Sequence, residues 1–220
     1  MLAYTAPSQS GYSISRYNIL MTSYPNKGLY AITNNDDSLT NVEAVLNAGA
    51  RFLQYREKQS PNLDHAKKLR SLCTTYQTRF IINDDPEFAL SVKADGVHIG
   101  EDDDSYQHAR DLLGDDAIIG ISCYDSLDLA LSAKKLGADY IALGAFFPSQ
   151  TKQTTRRASI ELLIKAKQQL SVPVVAIGGI TTENAPPLIA AGVDYIAAIN
   201  SVFGHEEPGV AAKQFTDLFK

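Results

Sequence analysis

The sequence predicts a single-domain (β/α)8 barrel with a short N-terminal arm, and three observations carry that prediction. Strand-like and helix-like segments alternate from residue 28 onward, the pattern of a parallel sheet wrapped by helices. The strand candidates are close to continuously apolar, as strands buried on both faces must be. Nearly every residue able to bind phosphate or metal falls at the C-terminal end of a strand candidate, the face on which such barrels carry their active sites.

Eight runs qualify as strands by length, by β-branched and aromatic content and by flanking turn residues. They are LYAIT at 29–33, FLQYR at 52–56, FIIN at 80–83, GVHI at 96–99, AIIGI at 117–121, YIALG at 140–144, VVAIG at 174–178 and YIAAI at 195–199. Between them, apolar residues recur three and four apart over 63–76, 127–136 and 160–170, the spacing of a helix with one buried face. A faint repeat supports closure. The phrases NAGARFLQYR, VKADGVHIGE, LGADYIALGA and AGVDYIAAIN align on Ala50, Ala94, Ala138 and Val193, at intervals of 44, 44 and 55 residues. Two βα units of about 22 residues each produce the first two intervals, so the phrases mark the second, fourth, sixth and eighth strands. The extra length of the third is assigned to the polar stretch after Pro148. A doubly wound open sheet is the alternative architecture, but it does not predict a repeat with a two-unit period.

With 220 residues, 45% of them hydrophobic, the chain can build one well-cored domain. A net charge of −5 argues against nucleic acid or an anionic membrane as a main partner. Small anionic substrates remain compatible, because they need only local positive charge, and so does a homo-oligomer. Cys73 and Cys123 form no CxxC or zinc-finger spacing, which suits a reducing cytosol and hence a cytoplasmic location. Cys123 reads as a small buried thiol rather than a nucleophile. Residues 1–27 are rich in Ser, Tyr, Asn and Pro and lack the charged start and apolar block of a signal peptide. They read as a surface arm ahead of a catalytic domain over 28–220. No run approaches the roughly 18 apolar residues of a membrane span.

The turns supply the chemistry. Alternate residues of a strand share a face, so Gln54, Arg56 and Lys58 point one way at the mouth of the second strand, and Leu53 and Tyr55 the other. Arg and Lys projecting together suit a diphosphate, Arg as a planar fork and Lys as a mobile point charge; a rim salt-bridge cluster with Glu57 is the bland alternative. Asn83 and Asp84 end the third strand, and Glu101, Asp102, Asp103 and Asp104 follow the fourth. Neighbouring strands bring those turns together, and converging carboxylates fit Mg²⁺, which takes one or two protein carboxylates and bridges to substrate phosphate. Alone, such an acidic run is more often a solvated helix start. The cationic stretch PSQTKQTTRR at 148–157 suits a loop folding over a phosphorylated ligand, with Lys152 its leading charge donor. Gly178 and Gly179, with Thr181 to Asn184 behind them, suit a phosphate cradle that exposes backbone N–H groups, completed by Asn200 and Ser201. His98 lies within a strand and reads equally as wall or as functional group. Spacing reveals no Ser–His–Asp arrangement.

QYREK, NDDPEFALSVKADGVHIGEDD, GISC, GAFFPSQTK, PVVAIGGI and AINSVF together resemble the thiamine-phosphate synthase family, in that order and over roughly residues 28–218. The resemblance implies a transferase that joins 4-amino-2-methyl-5-hydroxymethylpyrimidine diphosphate to 4-methyl-5-(2-phosphoethyl)thiazole, releasing diphosphate. By motif position it implies a pyrimidine-diphosphate site of Gln54, Tyr55, Arg56, Glu57, Lys58, Asn83, Ser122 and Lys152. Of these, Arg56, Lys58, Ser122 and Lys152 are the catalytic set. It implies Mg²⁺ ligands at Asp84 and Asp103, and a thiazole-phosphate site of Ser149, Gln150, Thr151, Gly179, Ile199 and Asn200. Departures are confined to Tyr55, Ser149, Asn200 and the glycine-free segment after Lys152, and none removes a charge the reaction needs. A thiazole tautomerase-like relative is the nearest rival, but it uses a histidine where this chain has Cys123-Tyr124. A silent barrel that senses thiamine precursors, or another phosphosugar enzyme on the same fold, are the remaining alternatives.

Overall fold

The computed structural model describes residues 26–34, 37–57, 59–100, 103–148 and 156–220, excluding the side chains of Asp103 and Asp104. Eight strands, β1 (Gly28–Ile32), β2 (Phe52–Tyr55), β3 (Arg79–Asn83), β4 (Gly96–Ile99), β5 (Ile118–Tyr124), β6 (Tyr140–Gly144), β7 (Val174–Ile177) and β8 (Tyr195–Ala198), pair in sequence order and close β8 onto β1. All eight pairings are parallel. The described helices are α1 (Leu39–Asn47), α2 (Leu63–Thr75), α3 (Pro86–Ser91), α4 (Asp103–Leu113), α5 (Leu127–Leu136), α6 (Ile160–Gln169), α7 (Pro186–Ala190), α8 (Asn200–Phe203) and α9 (Pro208–Asp217). This is a (β/α)8 barrel. All but the last two residues of the expected arm at 1–27 lie outside the described residues.

Local chemistry sets the helix starts. Ser38, Asn62, Asp85, Ser126 and Ser159 each stand in extended backbone just before α1, α2, α3, α5 and α6. Each side chain accepts a hydrogen bond from an N–H of the first turn, satisfying a donor that would otherwise lack a partner. Gly137, with φ +99°, ends α5 in the left-handed conformation that glycine adopts without steric cost.

Strand alternation sorts the core into two layers. Leu29, Leu53, Phe80, Ile119, Ile141 and Ile196 face the helices. Tyr30, Phe52, Ile81, Tyr140, Val175 and Tyr195 fill the barrel interior, where Tyr30 stacks on Phe52 at 5.1 Å and Tyr195 meets Phe52 edge-on at 5.0 Å. Glycines permit close approach here: a Cβ on Gly120 would lie 2.0 Å from the Tyr140 ring, and one on Gly96 would lie 1.8 Å from the backbone carbonyl oxygen of Ile118 on the neighbouring strand.

The repeat has a structural meaning at the N-terminal end of the barrel. One residue after each aligned alanine or valine stand Arg51, Asp95, Asp139 and Asp194. The three aspartates accept the backbone N–H of Phe80, Ile119 and Val174, each at 2.8 Å, and so extend the ladder between adjacent strands. Each carries a cation of its own: Arg70 and Arg79 for Asp95, Arg110 for Asp139, Lys167 and Lys27 for Asp194. The Arg110–Asp139 pair is the most enclosed, with side chains 9% and 1% exposed and 2.6 Å between Nη2 and Oδ2.

Candidate active site

A cavity of about 650 Å³ opens at the C-terminal end of the strands, within the range of small-molecule sites. Gln54 and Arg56 from β2 and the turn beyond it share its wall with Asn83, Asp84, His98 and Ser122. Thr33 holds the top of β2 against β1 by accepting the Arg56 N–H at 3.1 Å. Among the described residues no carboxylate lies within ion-pair distance of the Arg56 guanidinium, and its planar fork suits an anionic ligand.

The acidic wall is built by backbone geometry. Asp84 has φ +62°, a left-handed conformation that Asp tolerates better than most residues. Its N–H is held by the His98 carbonyl at 2.8 Å, which ties the turn after β3 to β4. The Asn83 side-chain amide donates to Asp84 Oδ2 at 2.6 Å and so orients the carboxylate. Asp103 opens α4, which follows β4 directly in the chain; its side chain lies outside the described residues. Among the described residues there is no cluster of three or more His, Cys, Asp or Glu.

The opposite wall is backbone-rich. Gly178, Gly179, Ile199 and Asn200 line it, and both glycines have positive φ, +102° and +61°. The chain after β6 runs on along this wall: Phe146 and Phe147 donate to the carbonyls of Ile177 and Gly178 at 3.1 and 2.9 Å. A side chain at Gly179 would meet the Pro148 carbonyl oxygen at 2.1 Å, so only glycine lets the two segments approach. One detail departs from expectation. Thr181 N–H is taken by the Asn184 side chain at 2.8 Å, and α7 begins only at Pro186, so the N–H groups after the glycine pair are not uniformly open to an anion.

Gln54, Arg56, Asn83, Asp84, Ser122, Gly179, Ile199 and Asn200 therefore meet in one cavity. Tyr55 and Glu57 do not. Strand alternation turns Tyr55 outward, where its ring packs against Phe88 at 6.1 Å and its hydroxyl accepts the Asn62 N–H at 3.1 Å. Glu57 closes its own turn by accepting the Gln59 N–H at 2.8 Å. Both border a neighbouring depression shared with Asn83 and Asp84. Lys58, Ser149, Gln150, Thr151 and Lys152 lie outside the described residues. The described residues on either side of the last four are Pro148, whose carbonyl lies against Gly179, and Arg156. Arg156 lies over the Tyr124 ring at 4.4 Å and pairs with Asp125 at 3.3 Å. Cys123 is buried and faces the helices, as its reading as an inert thiol requires.

Sequence reasoning left His98 undecided and passed over Tyr30 and Tyr140. His98 Nε2 lies 2.9 Å from Ser122 Oγ, and its Nδ1 lies 2.9 Å from the Tyr140 hydroxyl. Tyr140 meets the Tyr30 hydroxyl at 2.7 Å, and Tyr30 accepts from Gln54 Nε2 at 3.0 Å. Burial pushes the His98 pKa down to about 4, so the ring is neutral at pH 7, and burial pushes that of Tyr30 up. The repeat held a usable signal: Gln54, His98, Ala142 and Ala197 stand at the same repeat position, and all four line the cavity.

Comparison with known proteins agrees with this geometry. A family model described as thiamine monophosphate synthase matches residues 29–202. A thiamine-phosphate synthase of Methylococcus capsulatus is 45% identical over 92% of this chain and 93% of its own; one of Marinobacter nauticus is 48% identical over 84% and 87%. The solved structure of a thiamine phosphate pyrophosphorylase from Pyrococcus furiosus superposes with a TM-score of 0.80 at 36% identity, covering 87% of this chain and 95% of that one. The chain belongs to the thiamine monophosphate synthase family of transferases.

Proposed function

We propose that the chain condenses 4-amino-2-methyl-5-hydroxymethylpyrimidine diphosphate with 4-methyl-5-(2-phosphoethyl)thiazole, forming thiamine phosphate and diphosphate. The observation that carries this reading is the pairing of two unlike anion-binding walls in one cavity. Arg56 and Asp84 stand on one side, and the Gly178-Gly179 turn with Asn200 on the other. The family's name supplies the product, and the two walls suit its two anionic precursors.

In this reading Arg56, with Lys58 and Lys152, receives the diphosphate and stabilises charge developing on it as it departs. Asp84 and Asp103 would hold Mg²⁺. The donor set fits: a hard carboxylate oxygen beside the cavity, on a turn tied to the strand that leads into α4. Mg²⁺ needs only one or two such ligands, because water and substrate phosphate complete its shell. When bound, the ion supplies electrostatic stabilisation of the diphosphate oxygens. The bond from the pyrimidine methylene carbon to the diphosphate oxygen breaks with both electrons leaving on oxygen. The amino-substituted ring stabilises the resulting cation, and the thiazole nitrogen lone pair forms the new C–N bond. No protein nucleophile is required, and Ser122 meets an imidazole whose other nitrogen faces a tyrosine rather than a carboxylate, unlike the Ser–His–Asp arrangement. Gly179, Ile199 and Asn200, with Ser149, Gln150 and Thr151, would anchor the thiazole phosphate. Excluding water protects the cation from capture.

The two walls are separable by calorimetry. Arg56→Ala is expected to weaken Mg²⁺-dependent binding of the pyrimidine diphosphate about 10- to 100-fold, the effect of one charged hydrogen-bonding partner. Thiazole-phosphate affinity should change by less than about twofold. Equal loss for both ligands would contradict the assignment of Arg56 to one wall.

A further inference from the structure

Asn184 grips the turn after β7 from two sides. Its Oδ1 accepts the Thr181 N–H at 2.8 Å, and its Nδ2 donates to the Gly179 carbonyl at 3.1 Å. A backbone N–H can only donate and a backbone carbonyl can only accept, so both partners dictate the same orientation of the amide. Ser201 adds a third tie, its Oγ donating to the Ile180 carbonyl at 2.6 Å. Two successive peptide units are thereby held, and three of their four polar groups are engaged: the Gly179 carbonyl, the Ile180 carbonyl and the Thr181 N–H. The fourth, the Ile180 N–H, has no acceptor among the described residues.

Geometry decides which way that N–H faces. The Gly179–Ile180 peptide is trans, so its carbonyl and its N–H lie on opposite edges of one plane. Holding the Gly179 carbonyl against Asn184 turns the Ile180 N–H away from Asn184. Ile180 lines the cavity, whereas Asn184 is not among the lining residues. The Ile180 side chain is buried in the helix-facing core, so what Ile180 can donate to a ligand is its backbone N–H. The tie matters at this place because Gly179, at φ +61°, lacks the Cβ that restrains other residues. Without a partner on its carbonyl, the peptide plane after Gly179 would be free to rotate.

We infer that Asn184 is a positioning residue for the thiazole phosphate: it fixes the Gly179–Ile180 peptide so that the Ile180 N–H faces the cavity as a phosphate donor. This rests on the reading that the thiazole phosphate lies against the glycine turn, and it names a donor there and the side chain that aims it. A backbone N–H held in advance suits an anion, because no reorganisation is needed when the ligand arrives. Asn184 acts through the backbone and does not touch the ligand.

The test uses the full chain, isotope-labelled for amide resonance spectra, together with calorimetry. Adding 4-methyl-5-(2-phosphoethyl)thiazole to the wild type should move the Ile180 amide proton downfield, as a hydrogen bond to a charged oxygen does. The dephosphorylated thiazole alcohol should leave it in place. Asn184→Ala is expected to weaken thiazole-phosphate binding about tenfold, the scale of one hydrogen bond to a charged group, and to change Mg²⁺-dependent pyrimidine-diphosphate affinity by less than about twofold. Asn184→Asp keeps the acceptor for Thr181 but loses the donor to Gly179, so it should lose affinity too, and it carries the mutational test if Asn184→Ala does not fold. An Ile180 amide proton unmoved by bound thiazole phosphate would overturn the inference and leave the proposed function in place. So would an Asn184→Asp variant that binds thiazole phosphate as tightly as the wild type, since Asn184 would then merely close the turn through Thr181. A wild type that does not bind thiazole phosphate would overturn both.

Discussion

Replacing Asp84 by asparagine is expected to lower turnover about a hundred- to thousandfold, the scale of losing a preorganised electrostatic partner of a departing anion. Asparagine preserves shape, tolerates the left-handed backbone of position 84 (φ +62°) and can still accept from Asn83, so stability should hold while charge is lost. Asp103→Asn at the start of α4 should act in the same direction, and both variants should need more Mg²⁺ for half-maximal rate. Initial rates across a Mg²⁺ titration check this. Near-wild-type rates in both variants, unresponsive to the ion, would remove the carboxylates from the mechanism.

The second large effect is on stability, at the opposite end of the barrel. Arg110 donates to the carbonyls of Gly114 and Ala117 at 2.9 and 2.8 Å and to Asp139 Oδ2 at 2.6 Å. Asp139 in turn accepts the Ile119 N–H. Arg110→Met would leave a carboxylate with a 1% exposed side chain without its cation, a change that costs about 3–5 kcal/mol when one partner of a buried pair is removed. That is a large share of the roughly 5–15 kcal/mol by which domains are stable. Adding Asp139→Asn should recover part of the loss, because the uncompensated charge disappears while an amide oxygen can still accept from Ile119. Urea unfolding of the two single variants and the double variant measures both effects. A loss under about 1 kcal/mol for Arg110→Met would show that the pair contributes little. Activity of the folded fraction should persist, since Arg110 and Asp139 lie at the end of the barrel away from the cavity.

Strand positions were legible because each is a short, nearly unbroken apolar run. The runs at 96–99 and 140–144 coincide with β4 and β6, and most other ends agree to one residue. The exception is β5, expected to end at 121 but continuing to Tyr124. Its last residues, Ser-Cys-Tyr, look like a turn, yet a register shift between Ser122 and Tyr124 lets pairing with β6 continue. Arg56, Asp84 and Asn200 were legible from their places at strand ends. Tyr55 and Glu57 illustrate the limit of motif reading: they are contiguous with site residues in sequence, but the two-residue period of β2 turns Tyr55 away from the cavity and the turn beyond it occupies the Glu57 carboxylate. The tyrosine–histidine chain had no local signature. Five strands each contribute one member, and only closure of the barrel brings those hydroxyls together.

The proposed reaction requires two precursors to meet in one cavity. Its most direct measurement mixes the purified chain with the pyrimidine diphosphate, the thiazole phosphate and Mg²⁺, and quantifies thiamine phosphate and free diphosphate together. The expected result is one diphosphate released per thiamine phosphate formed, with both lost when a chelator removes the metal. Diphosphate release without thiamine phosphate, or no product with every component present, would contradict it.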